Sequence, residues 1–226
     1  MKKLLPLFII LLSFQGVASS QTLLTAADSA KYSPYWWHSK DIYDNLPDIR
    51  GEIIFLGNSI TDGGEWFELL FNKKCLNRGI SADVTEGILL RLYAITRVKP
   101  SKIFLMIGVN DLSKGRSVEQ ITEAYRLILD RVKAETPRTD IYIESVLPVN
   151  PVTGLSATHR NKTEMIMQLN ASLRSLAAEY GYPYIDLFTL MADENNYLPK
   201  KYSIDGLHLT YAAYKVWADA IREMLN

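Results

Sequence analysis

Cysteine is nearly absent from this chain. Cys75 is the only one, so no intramolecular disulfide is available and stability must come from the core. Histidine is almost as scarce: His38, His159 and His208 stand far apart without ligand spacing, which gives no basis for a metal site. No Gly-x-x-x-x-Gly-Lys phosphate cradle occurs, so nothing supports nucleotide hydrolysis, and no cofactor is expected. Charge of one sign is missing too. Lysine and arginine number 25 and aspartate and glutamate 25, with no run of like charge. That balance leaves no electrostatic footprint for nucleic acid or for a polybasic membrane contact, and it suits a neutral substrate. The apolar run over residues 4–12 falls well short of the roughly 20 residues a spanning helix needs, so no stable membrane anchor is expected. Repeats and low-complexity tracts are lacking as well.

What is present is ordinary globular material, 226 residues with 48% apolar and 22% charged, enough for one good-sized core. Residues 1–20 read as a secretory signal peptide: Lys2 and Lys3 form a basic start, residues 4–12 an apolar run, and Val17-Ala18-Ser19-Ser20 a small-residue cleavage region. Residues 21–226 are then a single domain, exported to a periplasmic or extracellular site. Removing the leader takes two lysines and no acid, leaving 23 basic against 25 acidic residues.

The chain is organised around Ile53-Ile54-Phe55-Leu56-Gly57-Asn58-Ser59-Ile60-Thr61-Asp62. Four consecutive large apolar residues predict a strand buried on both faces, as in a parallel sheet. Gly57 ends it with a sharp turn, which places Ser59 at the carboxyl end of a strand, where open α/β sheets bind ligands. A serine hydroxyl is a weak nucleophile and needs a base, itself oriented by a third group. Asp205 and His208, in Asp205-Gly206-Leu207-His208, are the candidate pair. Taken singly, each motif also fits a plain structural role, a turn serine in one case and a capped helix start in the other.

Strands and helices alternate along the rest of the chain. Helical spacing predicts helices over residues 65–72, 82–98, 117–136, 158–180 and 210–225, with Ser117 and Gln120 forming a capping box and Gly181 a stop. The N-terminus of the first of these is expected close to Ser59, where the helix dipole favours developing negative charge. Strands are predicted over residues 76–80, 102–108, 140–147 and 183–188, five with the first. Alternation of this kind implies parallel β-α-β units and a three-layer α/β/α sandwich. The aromatic segment Tyr32-Ser33-Pro34-Tyr35-Trp36-Trp37-His38 is expected to close an edge of the core, with a place along the substrate crevice as the alternative. The loop over 149–158 is the other candidate specificity element.

Gly57-Asn58-Ser59-Ile60, Asn77-Arg78-Gly79-Ile80, Gly108-Val109-Asn110-Asp111 and Asp205-Gly206-Leu207-His208 resemble, in order, the first, second, third and fifth blocks of the SGNH (GDSL-type) hydrolases. The resemblance runs from about residue 52 to the C-terminus and is nearest to the branches holding platelet-activating-factor-type acetylhydrolases and bacterial carbohydrate O-acetylesterases. Asn58 departs from the aspartate of the commonest first block. The resemblance implies a flavodoxin-like strand order for the five-stranded parallel sheet. It also implies a Ser59–His208–Asp205 triad and an oxyanion hole made by the N–H groups of Ser59 and Gly79 and the side chain of Asn110. The expected activity is hydrolysis of small acyl esters, foremost acetyl, on a small-molecule or carbohydrate substrate such as O-acetylated sialic acid. A phospholipid acetylhydrolase, lipase or thioesterase of the same fold, and a non-catalytic carbohydrate-binding module, are the alternatives. The Gly-x-Ser-x-Gly elbow of α/β-hydrolases does not fit, because position 61 is threonine.

Overall fold

The computed structural model describes residues 31–152 and 158–225. The leader expected over residues 1–20 lies outside them, as do residues 153–157 of the expected specificity loop. Strands β1 (Ile53–Gly57), β2 (Cys75–Gly79), β3 (Lys102–Met106), β4 (Asp140–Glu144) and β5 (Tyr184–Ile185) form one parallel sheet in the order β2-β1-β3-β4-β5. This is the flavodoxin-like order. The chain passes from β1 to a neighbour on one side and then to β3 on the other, and beyond the carboxyl ends of two such strands a crevice opens.

Every residue of β1 is buried, as its unbroken apolar run requires. Phe55, Phe104 and Tyr142 are in register on three adjacent strands and stack on one face with centroids 5.0 and 4.6 Å apart. Trp66 lies flat on Phe55 at 4.0 Å, and Trp217 meets Trp66 edge-on at 4.7 Å. Those two tryptophans belong to helices α3 (Trp66–Leu70) and α9 (Tyr211–Ile221), which therefore cover this face. Alternation turns Ile54, Leu56, Ile103 and Leu105 to the opposite face. Helices α4 (Thr85–Thr96), α6 (Val118–Glu135) and α7 (Thr163–Tyr180) follow one another against it, α4 packing on α6 and α6 on α7. A three-layer sandwich results.

Element ends depart from the sequence reading where side chains intervene. The fifth strand stops at Ile185, because Asp186 accepts from Thr189 N at 3.1 Å and starts the short helix α8 (Leu187–Met191). Helix α4 begins at Thr85 rather than 82, since Ala82 takes a left-handed φ of 64°. The capping box of α6 forms as expected, with Ser117 and Gln120 exchanging two bonds, and Gly181 ends α7 at φ 72°. Thr210 precedes α9, yet its hydroxyl donates to Lys201 O at 2.8 Å instead of capping the helix. The aromatic segment opens helix α1 (Pro34–Asn45). Tyr32 and Trp36 stack at 4.2 Å and are buried with Ile80 and Val84 in a second cluster, so these two rings do close an edge of the core.

Glu144 is buried at the end of β4, with Trp217 Nε1 donating to it at 2.6 Å. Burial pushes its carboxyl up to about 8, against the tryptophan bond that favours the charged form. In the unfolded chain a glutamate titrates near 4.3. Between those values the folded state keeps a proton that the unfolded state releases, so stability falls as pH rises through the window, by up to about 1.4 kcal/mol per pH unit. Urea unfolding of wild type and Glu144→Gln from pH 5 to 8 is expected to show a steeper decline for wild type, since the amide has no proton to lose.

Candidate active site

The Ser59 turn is built from backbone bonds that leave it little freedom. Gly57 closes β1, and a Cβ there would lie 2.1 Å from Thr61 Oγ1 and 2.4 Å from Met106 O, so only glycine fits. Asn58 is the N-cap of helix α2 (Ser59–Asp62), its Oδ1 accepting from Ile60 N at 3.0 Å. An asparagine amide oxygen thus does the capping work of a carboxylate without burying a charge. Ser59 is itself the first residue of this helix. The Ser59 N–H, in the first helical turn, has no partner inside the helix.

Four elements brace the far side of the turn. Asn77 Nδ2 donates to the carbonyls of Thr61, Asp62 and Gly64 at 3.0, 2.8 and 2.9 Å. Trp66 Nε1 donates to Thr61 O at 3.0 Å and Tyr214 Oη to Ile60 O at 2.7 Å. From α1, Tyr35 Oη donates to the Asp62 carboxylate at 3.0 Å. Asp62 is raised above its ordinary value, burial prevailing over the bonds from Tyr35 and Ser81.

His208 stands 3.0 Å from Ser59 Oγ through Nε2 and 2.6 Å from Asp205 Oδ2 through Nδ1. The carboxylate only accepts, so Nδ1 carries the proton and Nε2 offers its lone pair to the Ser59 hydroxyl. Asp205 Oδ1 accepts from the backbone N–H of Leu207 and His208 at 2.9 and 2.8 Å. Partial burial disfavours its charge, but the bonds from His208 and from those two N–H groups outweigh it and hold Asp205 down at about 2. The loop carrying both is pinned at Gly206, whose O accepts from Asn150 N at 2.8 Å. A hydroxyl, a base and a charged orienting group in one hydrogen-bonded line can generate an alkoxide-like nucleophile at neutral pH.

Asn110 sits at the start of helix α5 (Val109–Ser113), beyond β3. It is buried and donates through Nδ2 to Asp83 O at 2.9 Å, which leaves its second amide hydrogen unused by that bond. Gly79 corrects the expectation made for it. Its N–H donates to Asn77 Oδ1 at 2.8 Å and is committed there, so it is not free to meet an oxyanion. The need for glycine is steric, because a Cβ would lie 2.2 Å from Asp62 N. Two further participants carried no sequence signal of their role. Asn77 lay inside a motif without an assigned function, and His159, whose Nε2 is 3.2 Å from Asn110 Oδ1, had only its residue type to mark it. Among the described residues, no group of histidine, cysteine, aspartate and glutamate is arranged to hold a metal ion.

Beneath the site lies a buried ion pair. Asp83 and Arg91, 0% and 1% exposed, meet at 2.8 Å. Arg91 Nη2 also donates to Gly57 O at 3.1 Å, and Trp36 Nε1 to Asp83 Oδ1 at 2.8 Å.

The sequence profile of the GDSL-like lipase/acylhydrolase family matches residues 55–216. The chain belongs to that family. It is a carboxylic ester hydrolase, with small-molecule esters as its substrate class. Among relatives, platelet-activating factor acetylhydrolase IB subunit alpha2 of Homo sapiens is 22% identical over 223 residues, covering 93% of this chain and 92% of its own. A GDSL-like lipase from Bacteroides thetaiotaomicron superposes with a TM-score of 0.73 at 21% identity, over 84% of this chain and 96% of that one. A mutant of an acetyl-xylooligosaccharide esterase from Geobacillus Stearmophilus does so with 0.60 at 18% identity, over 79% and 96%. At these identities the two solved structures speak for the fold alone.

Removing one partner of a buried pair strands the other charge. Arg91→Met is therefore expected to cost about 3–5 kcal/mol of stability. Lys215→Ala, which removes an exposed pair with Asp219, should cost less than about 1 kcal/mol. Chemical denaturation of the two variants beside wild type measures the contrast; equal effects would deny the buried pair its structural role.

Proposed function

We propose that the protein is an exported serine esterase that removes small acyl groups, foremost acetyl, from carbohydrate such as O-acetylated sialic acid or polysaccharide. The observation that carries the mechanism is the continuous line Ser59 Oγ, His208 Nε2, His208 Nδ1, Asp205 Oδ2, at 3.0 and 2.6 Å. His208 takes the Ser59 proton at Nε2 as Oγ attacks the ester carbonyl, and Asp205 stabilises the imidazolium that forms. The tetrahedral intermediate collapses as Nε2–H returns the proton to the departing sugar oxygen. Water then attacks the acyl-Ser59 ester with His208 again as base, releasing acetate and restoring the hydroxyl.

The oxyanion is met by the Ser59 N–H and by the second amide hydrogen of Asn110. With Gly79 committed elsewhere, the backbone N–H of Ala82 is the third donor. Ala82 lies between Ser81, which bonds the Asp62 carboxylate, and Asp83, whose carbonyl holds Asn110. Its φ of 64° is a conformation that a non-glycine residue adopts at a cost.

The choice of acetyl is supported by the name of the relatives that align along the chain, platelet-activating factor acetylhydrolases. Carbohydrate is favoured by the export expected from residues 1–20. A phospholipid acetylhydrolase is the second reading, favoured by the 93% of this chain that aligns with the human alpha2 subunit.

Acetate release from p-nitrophenyl acetate, with fluorophosphonate labelling located by mass spectrometry, tests the mechanism. Wild type is expected to turn over and to carry the adduct on Ser59. Ser59→Ala should lose the adduct and about a millionfold in kcat, and Asp205→Asn about ten-thousandfold through the wrong imidazole tautomer. Across a p-nitrophenyl ester series, best turnover on octanoate or longer would sink the small-acyl assignment. Acetylated sugars against an acetyl glycerophospholipid then separate the two readings. Mass spectrometry of protein recovered outside the cytoplasm tests export, which requires an N-terminus near residue 21.

A further inference from the structure

Asn110 is held by two partners whose chemistry fixes its amide in one orientation, and one of them is a histidine with no part in the steps above. Asp83 O accepts only, so the atom 2.9 Å from it is Nδ2. Oδ1 then faces His159 Nε2 at 3.2 Å, and because Oδ1 only accepts, Nε2 carries the ring proton. The other ring nitrogen, Nδ1, lies 3.3 Å from Thr158 Oγ1, a hydroxyl able to donate to it. Half-burial lowers the His159 pKa, the charges of His208 and Lys162 push the same way, and Asp205 opposes them. A neutral imidazole protonated at Nε2 is consistent with both contacts.

We propose that His159 is a positioning residue for the oxyanion donor: its Nε2–H bond to Asn110 Oδ1 locks the amide so that the second Nδ2 hydrogen faces the crevice. This rests on the esterase reading above. An asparagine amide has nearly the same shape in its two flipped orientations, and only its partners choose between them. Turned the wrong way, Asn110 would present oxygen lone pairs to a developing negative charge, forfeiting a donor whose loss typically costs about a hundredfold to a thousandfold in rate. The bond also draws density from Oδ1 and so strengthens the remaining N–H as a donor. Because His159 acts through Asn110, its effect belongs to the transition state, and it falls on kcat and not on KM.

The test measures kcat and KM on p-nitrophenyl acetate for wild type, His159→Ala, His159→Gln, Asn110→Ala and the His159→Ala/Asn110→Ala double variant, with Ser59 labelling and thermal midpoints alongside. His159→Ala is expected to lower kcat about tenfold with KM within about twofold, less than the loss of the donor itself because Asp83 still holds one amide hydrogen. His159→Gln, whose amide can donate in place of Nε2–H, should recover most of that loss. In the Asn110→Ala background His159→Ala should cost nothing further. Equal losses in both backgrounds, or a loss confined to KM, overturn the proposal while wild-type turnover leaves the esterase reading standing. A wild type that neither turns over nor is labelled on Ser59 overturns that reading and this proposal with it. Should His159→Ala fail to fold, His159→Phe keeps the ring volume without the donor and enters the same cycle.

Discussion

The site depends on one buried contact, the Asp83–Arg91 pair at 2.8 Å. Taking two charges out of water is expensive, and a pair of this kind adds little net stability over an apolar substitute. Here it serves as a junction. Arg91 reaches forward to Gly57 O, the last carbonyl before the nucleophile turn. Asp83 receives Trp36 of α1 on its carboxylate and Asn110 on its backbone carbonyl. The strand that leads into Ser59, Asn110 and the N-terminal helix are therefore indexed to one another through Asp83, on the β2–α4 connection, and Arg91 of α4. There is no slack around them: a Cβ on Gly87 would lie 1.8 Å from Asp83 Oδ1. One Arg91 nitrogen, Nη1, is buried without a partner. The junction has not been optimised for stability alone, as expected where geometry is what the fold must hold.

Asp111, beside Asn110, extends the same logic. Fully buried, it accepts from Thr85 Oγ1 at 2.6 Å, from Thr85 N and from Arg116 Nη1. It thereby satisfies the start of α4 in place of a local N-cap. Asn110 and Asp111 are adjacent residues with different partners, one meeting Asp83 O and His159 and the other a helix terminus. Fixing α4 at its start also fixes Arg91, two turns along, and through it Gly57.

How much of this was legible varies with the range of the interaction. Buried strands and capped helices are local, so the run Ile53 to Leu56, the Ser117/Gln120 box and the stop at Gly181 could be read from a few residues each. The strand order needed the resemblance, because periodicity carries no information about which strands neighbour each other. Ser59, Asp205 and His208 stood out by residue type and do come together, whereas Asn110 was marked only by the resemblance. Gly79 was misread because a glycine's backbone N–H and its missing side chain leave the same letter; only the 2.8 Å bond to Asn77 separates the two uses. The strand over 183–188 was overextended because Asp186 reads as an interruption only once its bond to Thr189 N is seen. His159 could not be found, since its partner lies 49 positions away with no pattern connecting them.

The base and its acid are open to solvent, with the His208 and Asp205 side chains 51% and 47% exposed. Asp205 nevertheless stays charged, and the reason is local. Its Oδ1 takes two backbone N–H groups of its own turn and its Oδ2 the imidazole, so its ionisation needs no buried counter-charge. An acid–base pair that is self-sufficient in this way tolerates exposure. Exposure in turn admits water, as the proposed acyl-Ser59 step requires, and it leaves room for a leaving group much larger than the acyl chain. The division of labour follows from that geometry. The side lined by Asn110, only 7% exposed, is the enclosed part, where a preorganised donor gains most from low dielectric. Under the proposed esterase reading, an ester with a small acyl group and a bulky alcohol would set its carbonyl against the buried wall and its alcohol toward the open rim.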